Sequence, residues 1–141
     1  MLLLSFTGAK AALFINNNTN CTMNITMFAF DPTHTGCWGL QSNVITIGPT
    51  SSVSYNSVAT LNTTAPYWGG GATASIAGGP TTWGWNVGKF FFSGGGGGGA
   101  SVGASCGIST SATVPNPCGG GTITVSWTPL SGSNNILIEA N

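Results

Sequence analysis

The sequence predicts an all-β protein, an antiparallel β-sandwich of about eight short strands. Charged residues make up only 3% of the chain, against about 25% in ordinary domains. The helix-favouring residues Glu, Lys, Arg and Gln are nearly missing. Polarity comes instead from Thr, Ser and Asn, which suit strands and turns. Short apolar runs with a period of two recur along the chain, which is the pattern of strands with one buried face.

The clearest strand is the run 21–30. Its odd-numbered residues are apolar, namely Cys21, Met23, Ile25, Met27 and Ala29, and polar residues alternate with them up to Thr26. A period of two over eight residues indicates one buried and one solvated face. The strand begins at a cysteine and ends before the turn-rich segment 31–36, so we expect a central strand.

Before this strand, the apolar run 13–15 is a short strand that leads into an asparagine-rich turn at 16–20. After it, short strands at 44–47 and 53–55 flank a Gly-Pro-Thr turn. The segment 57–81 reads as a long loop because of Pro66 and the glycines 69–71, with an edge strand at 72–76.

The segment 82–92 is the most apolar, and its period of two would put Trp83, Trp85, Val87 and Phe91 on one face with Lys89 as the exception. Six glycines at 94–99 predict a flexible loop or a close backbone approach. The run 122–127 alternates again, and a turn at 131–134 leads into a final strand at 136–138. Such a succession of strands and turns predicts a sandwich of immunoglobulin-like or jelly-roll-like type.

At 141 residues the chain is one domain by length. Residues 1–11 form a short apolar run that ends in Ala-Lys-Ala, which resembles the end of a secretory signal peptide. The alternative is an apolar N-terminal strand kept in the mature protein, with Leu2, Leu4 and Phe6 on one face. Residues 12–141 then form the single sandwich domain.

Four cysteines allow three disulfide pairings. Sequence order favours two local disulfides, Cys21–Cys37 and Cys106–Cys118. A zinc site is the alternative, but the sequence contains no C-x-x-C pair and the spacings do not fit. Disulfides imply an oxidising compartment, in agreement with the signal-like start.

The charge inventory argues against several function classes. The formal charges are Lys10, Asp31, Lys89 and Glu139, beside a single His34. No basic patch can neutralise phosphates, which argues against nucleic acid as a partner, and no cationic amphipathic face can lie on a membrane.

Catalysis is disfavoured for the same reason. Asp31 beside His34 could act as an oriented general base, but a turn whose aspartate caps its own backbone is the simpler interpretation. We expect no enzyme activity, no catalytic residue, no metal ligand and no cofactor.

Aromatic residues and glycosylation sequons are the remaining candidate sites. Trp83, Trp85 and Trp127 fit the core, whereas three aromatic residues predicted in loops are candidate ligand or subunit contacts, namely Trp38, Tyr67 and Trp68. Four N-x-Ser/Thr sequons are candidate glycosylation sites, at Asn17, Asn20, Asn24 and Asn62.

The whole layout resembles the small secreted β-sandwich subunits of prokaryotic extracellular filaments. It shares with them a leader-like start, strands rich in Thr, Ser, Asn and Gly, local cysteine pairs and almost no charge. In such filaments an N-terminal strand often completes the neighbouring subunit's sheet. The resemblance implies the same use of the N-terminal apolar residues here, namely Leu2, Leu4, Phe6, Leu13, Phe14 and Ile15.

The sequence therefore predicts a secreted structural protein that assembles with copies of itself into an extracellular filament or surface layer. The alternative is a secreted adhesin or carbohydrate-binding sandwich whose exposed aromatic rings contact glycans. Images of the native material would separate the two, because only the first forms a homopolymer.

Overall fold

A computed structural model of the protein describes residues 11–30, 38–69, 83–94, 98–131 and 134–141. Several sequence predictions fall outside these ranges. They concern the segment 1–10 with Leu2, Leu4 and Phe6, the turn 31–36 with Asp31 and His34, Cys37, and the edge strand at 72–76.

The described residues form ten β-strands and one 3₁₀ helix, Val58–Asn62, and contain no α-helix. The strands in chain order are β1 (Leu13–Asn17), β2 (Met23–Phe30), β3 (Leu40–Gln41), β4 (Ile45–Ile47), β5 (Ser51–Tyr55), β6 (Gly84–Phe92), β7 (Ala100–Gly103), β8 (Ser111–Pro115), β9 (Thr122–Pro129) and β10 (Ile136–Ala140).

One sheet, here called sheet A, has the strand order β5-β1-β10-β9-β8. Strand β1 lies inside it and pairs with β5 on one side and β10 on the other. The β1–β10 pair is parallel, with Ile15 opposite Ile138, whereas the other neighbours in the sheet are antiparallel. The first and last described strands of the chain are therefore direct neighbours.

The second sheet, sheet B, has the order β3-β2-β6-β7, and β4 also pairs with β2. Strands β3 and β4 follow one another along the same edge of β2. Strand β2 is antiparallel to β6, and the register shifts so that Phe28 faces Val87 while Ala29 faces Trp85. Asn86 is thus the extra residue of a β-bulge, which reverses the faces of β6 at this point.

The two sheets share one hydrophobic core that is built from strands of both. Gly88 of sheet B marks a close approach: an added Cβ would lie 2.8 Å from Ile25 Cδ1 and 3.5 Å from Ile138 Cδ1 of sheet A. Only glycine fits between these side chains without displacing them. Tyr55 of sheet A is also in this core, and burial raises the pKa of its phenol.

The predicted all-β class is confirmed. Every predicted strand that lies within the described residues is present, and three more strands appear, β3, β7 and β8. The sequence pattern does not predict strand β8, because Val114 is its only buried residue. The other positions of the strand are exposed or half-buried. An edge strand with so little apolar alternation resembles a loop in the sequence.

The predicted local disulfide pairing is wrong. Cys21 is bonded to Cys118, 97 positions away, with the two Cα atoms 5.6 Å apart. Cys21 precedes β2 of sheet B and Cys118 lies in the turn between β8 and β9 of sheet A, so this bond ties the two sheets together. Cys106 is not a free thiol. Proximity along the sequence does not predict the disulfide pairing here, because the sheets bring distant turns to the same end of the molecule.

Asn17, at the end of β1, is a fully buried hydrogen-bonding centre. Its Nδ2 donates to the carbonyl oxygens of Cys21, Ile47 and Gly48 at 2.7, 3.1 and 2.9 Å. Its Oδ1 accepts from the backbone and the hydroxyl of Thr19. One side chain at the end of sheet A therefore satisfies carbonyl groups that border β2 and β4 of sheet B.

The disulfide gives the first prediction. Non-reducing peptide mapping should find Cys21 and Cys118 in one cross-linked peptide. Cys118→Ser should lower the free energy of unfolding by about 4–5 kcal/mol, because the closed loop is long, as measured by denaturant unfolding. Peptides that join Cys21 to Cys37, or Cys106 to Cys118, would contradict this topology.

The buried asparagine gives the second prediction. Asn17→Ala leaves several buried carbonyl groups without a donor and should cost on the order of 3 kcal/mol in unfolding free energy. Asn18→Ala is the matched control, because the Asn18 side chain makes only an exposed hydrogen bond to Asn141. Equal unfolding midpoints for the two variants would show that Asn17 is not a structural centre.

Candidate functional site

The face of sheet B that is turned away from the core carries an aromatic–lysine cluster. Residues opposite one another in the register share a face, and Thr26 lies opposite Lys89 while Asn24 lies opposite Phe91. The Phe28–Val87 pair is on this same outer face, and both residues are buried without belonging to the main core. The sequence prediction that Val87 and Phe91 share a face with Trp85 is wrong, because the bulge at Asn86 intervenes.

Trp38 lies over this outer face and holds the lysine. The Lys89 Nζ is 4.3 Å from the centre of the Trp38 ring and 5.4 Å from that of Phe28. The Phe28 and Trp38 rings meet edge to face at 5.1 Å. Cation–π contact at these distances fixes the ammonium group while leaving it charged. Trp38 and Phe91 are each about half exposed, at 49% and 48%.

The outer face of sheet A carries a smaller apolar cluster beside a carboxylate. Phe14 of β1 lies opposite Leu137 of β10, and Asn16 lies opposite Glu139. Phe14 is 40% exposed, and Leu137 and Glu139 are half-buried. Glu139 and Lys89 are the only charged side chains among the described residues. They therefore lie on the outer faces of different sheets.

The structure separates the predicted assembly residues of the N-terminal strand. Leu13 and Ile15 are fully buried in the chain's own core, whereas Phe14 points outward. Strand β1 is paired on both sides within its own chain. Phe14 is therefore an exposed side chain on a strand whose backbone is already paired on both sides.

The three loop aromatics also have different positions. Trp38 and Tyr67 are about half exposed, as expected for contact residues. Trp68 is buried and packs against Trp85 with ring centres 5.8 Å apart, so its ring is not available at the surface. Ser42 and Trp68 form an isolated bridge, which draws this loop against the sheet.

A cleft of about 460 Å³ opens at one end of the sheets, lined in part by Trp85, Asn86, Ser105, Leu130 and Asn135. Its volume lies in the range of small-molecule sites. Several of its polar groups are already engaged, however. The Ser105 hydroxyl donates to Asn86 Oδ1, Asn135 Oδ1 accepts from the backbone of Ala12, and the Trp85 indole donates to the Ala11 carbonyl. The last two hydrogen bonds hold the entry of β1 in place.

The described residues contain neither a metal-binding cluster nor a membrane-spanning helix. No cluster of three or more His, Cys, Asp or Glu side chains there could hold a metal ion. No helix in those same ranges is long and apolar enough to cross a membrane.

Sequence reasoning singled out Trp38 and Phe14 but missed Phe91, Leu137 and the two charges. In the sequence, Lys89 is an exception within an apolar strand, and Glu139 follows the predicted strand 136–138. The missed signal is that the two charged residues in the described part of the chain both fall within regular strands, where alternation aims them outward.

The four sequons have different accessibility. Asn17 is fully buried and Asn24 is nearly so, with its Nδ2 donating to the Ser93 hydroxyl at 2.8 Å. Asn20 is exposed, but its Nδ2 donates to the Cys118 carbonyl. Asn62 ends the 3₁₀ helix with an exposed side chain. Within the described residues it is the one exposed acceptor of the four whose side-chain amide makes no hydrogen bond.

No protein-family model, no curated protein and no solved structure matches this chain. Its function is therefore inferred from the geometry of the described residues.

The sequons give the third prediction. After passage through a glycosylating secretory pathway, the folded protein should carry N-glycan at Asn62 and none at Asn17, because a glycan on a fully buried amide would prevent the strand β1 from packing. Mass spectrometry of peptides after enzymatic deglycosylation measures the occupancy. Asn62→Gln is the control and should remove the mass shift; a glycan found on Asn17 in folded protein would contradict the prediction.

Proposed function

We propose that this chain is a secreted structural subunit, a β-sandwich that assembles with copies of itself into an extracellular filament or surface layer. The observation that carries the proposal is the lack of charge at the sheet edges. Within the described residues the edge strands are β5 and β8 of sheet A and β3, β4 and β7 of sheet B. None of them contains a charged residue.

An edge strand presents unpaired N–H and C=O groups that can pair with another chain. Soluble monomers protect such edges with lysine, proline or bulges. Here Pro115 at the end of β8 is the only one of these devices on a described edge strand. A formal net charge of zero adds no long-range repulsion between copies. These properties suit a subunit that associates with itself.

Secretion is supported by the Cys21–Cys118 disulfide and by the lack of free cysteines among the described residues. Disulfides of this kind persist in oxidising compartments. The proposal includes no catalytic role, because the acids and bases in the sequence are so few.

The position of β1 changes the proposed mode of assembly. Exchange of the N-terminal strand between subunits would require β1 to leave two neighbours in its own sheet and to withdraw Leu13 and Ile15 from the core. Contact between folded subunits, through their edges and outer faces, avoids this cost. We therefore favour docking of folded subunits over strand donation.

A secreted adhesin or carbohydrate-binding module is the second candidate. It is favoured by the exposed rings of Trp38 and Tyr67, since aromatic faces stack on sugars. The two candidates predict different states of the pure protein. A binding module stays monomeric without its glycan, whereas an assembly subunit associates when concentrated.

The fourth prediction tests assembly. Purified protein should sediment as larger species with rising concentration, and electron microscopy should show filaments or sheets. Ser54→Lys with Thr113→Lys puts charge on edges β5 and β8 and should raise the concentration needed for assembly about tenfold or more.

The matched control is Thr63→Lys with Thr64→Lys, which adds the same charge at exposed positions after the 3₁₀ helix. It should assemble much as the wild type does. A wild-type protein that remains monomeric at millimolar concentration would refute the assembly proposal and favour the binding module.

A further inference from the structure

We propose that the outer face of sheet A in one subunit docks on the outer face of sheet B in the next, with Glu139 facing Lys89 across the contact. This inference rests on the proposed function and specifies the interface by which copies associate. It starts from the two charges that the described residues contain, one on each outer face.

Each charge lies on an interior strand of its sheet. Strand β10, which carries Glu139, is the third of five strands in sheet A, and β6, which carries Lys89, lies inside sheet B between β2 and β7. Neither charge has an ion-pair partner within the described part of the chain. A contact between faces would therefore bring together two charges that the single subunit leaves unpaired.

An apolar residue accompanies each charge at the same spacing. Phe91 is two residues from Lys89 on β6, and Leu137 is two residues from Glu139 on β10. Side chains two residues apart on a strand share a face and lie about 7 Å from one another. The two faces thus present opposite charges beside apolar groups in matching patterns.

Aromatic rings extend both patterns. Trp38 lies against Lys89 on sheet B, and Phe14 lies opposite Leu137 on sheet A. Both rings are substantially exposed in the single subunit, and aromatic residues are enriched at protein interfaces. The cation–π contact also limits the motion of the Lys89 ammonium, which reduces the entropy lost on docking.

Charge decides the symmetry of the contact. Two sheet B faces would put Lys89 against Lys89, and two sheet A faces would put Glu139 against Glu139, so both self-paired arrangements are repulsive. The favourable contact is heterologous, face A on face B. Because the inner faces of the sheets are packed together, the outer faces point in opposite directions, and each added copy leaves another face free. Such contacts build an open-ended stack.

The test uses charge reversal in the full chain. Lys89→Glu and Glu139→Lys should each raise the concentration required for assembly about tenfold or more, because each puts like charges across the contact. The double variant K89E/E139K exchanges the two charges and should assemble at close to the wild-type concentration. An equimolar mixture of the two single variants should co-assemble, since each supplies the face that the other lacks.

A separate control variant tests whether the change in net charge alone affects assembly. Lys89→Glu lowers the net charge by two, and Thr63→Glu with Thr64→Glu does the same away from both sheet faces. This control should assemble like the wild type. Thermal unfolding of every variant verifies the fold, and Lys89→Met with Glu139→Gln provides neutral versions if a reversal fails to fold. Raising salt to 0.5 M, where the Debye length is about 4 Å, should weaken assembly of the wild type.

The outcomes separate this inference from the proposed function. If the wild type assembles and the folded single reversals assemble equally well, the face-to-face contact is wrong while the assembling function stands. A double variant that assembles no better than the single variants would also overturn it. If the wild type never assembles, both the function and the interface fail.

Discussion

The pairing of the first described strand with the last holds sheet A together. Strand β1 lies between β5 and β10, so this sheet is complete only when the two ends of the described chain meet. Asn17 at the end of β1 then bonds to carbonyl groups of Cys21, Ile47 and Gly48, and the disulfide joins Cys21 to Cys118 beside it. Bringing segments so far apart in sequence together costs chain entropy before their contacts contribute stability. This order of events is typical of slowly folding β-proteins.

This central pairing also limits the contacts available to the proposed assembly. Because Leu13 and Ile15 fill the core and the backbone of β1 is bonded on both sides, β1 is an integral part of its own chain's fold. The proposed assembly would therefore use the uncharged edges and the outer faces. A chain with so few charges has little means of repelling its own copies, and the position of each charge gains importance for that reason.

The bulge in β6 links the fold to the candidate interface. If the same residues formed a strand without a bulge, strict alternation would place Lys89 and Phe91 on the same face as Trp85, which packs into the core. The bulge lets Trp85 and Phe90 both point inward while Lys89 and Phe91 point outward. A single inserted residue thus allows one strand to fill the core and to carry the aromatic–lysine cluster.

The sequence by itself determined the all-β class and the position of every strand with a strong apolar alternation, such as β2 and β9. It did so because a period of two is a local property of the strand. Only the tertiary structure decided the Cys21–Cys118 pairing, the reversal of faces at Asn86 and the burial of Trp68. It also decided that Lys89 and Glu139 lie on the outer faces of different sheets. These features depend on which distant segments become neighbours, and sheet pairing sets that through contacts that no local pattern contains.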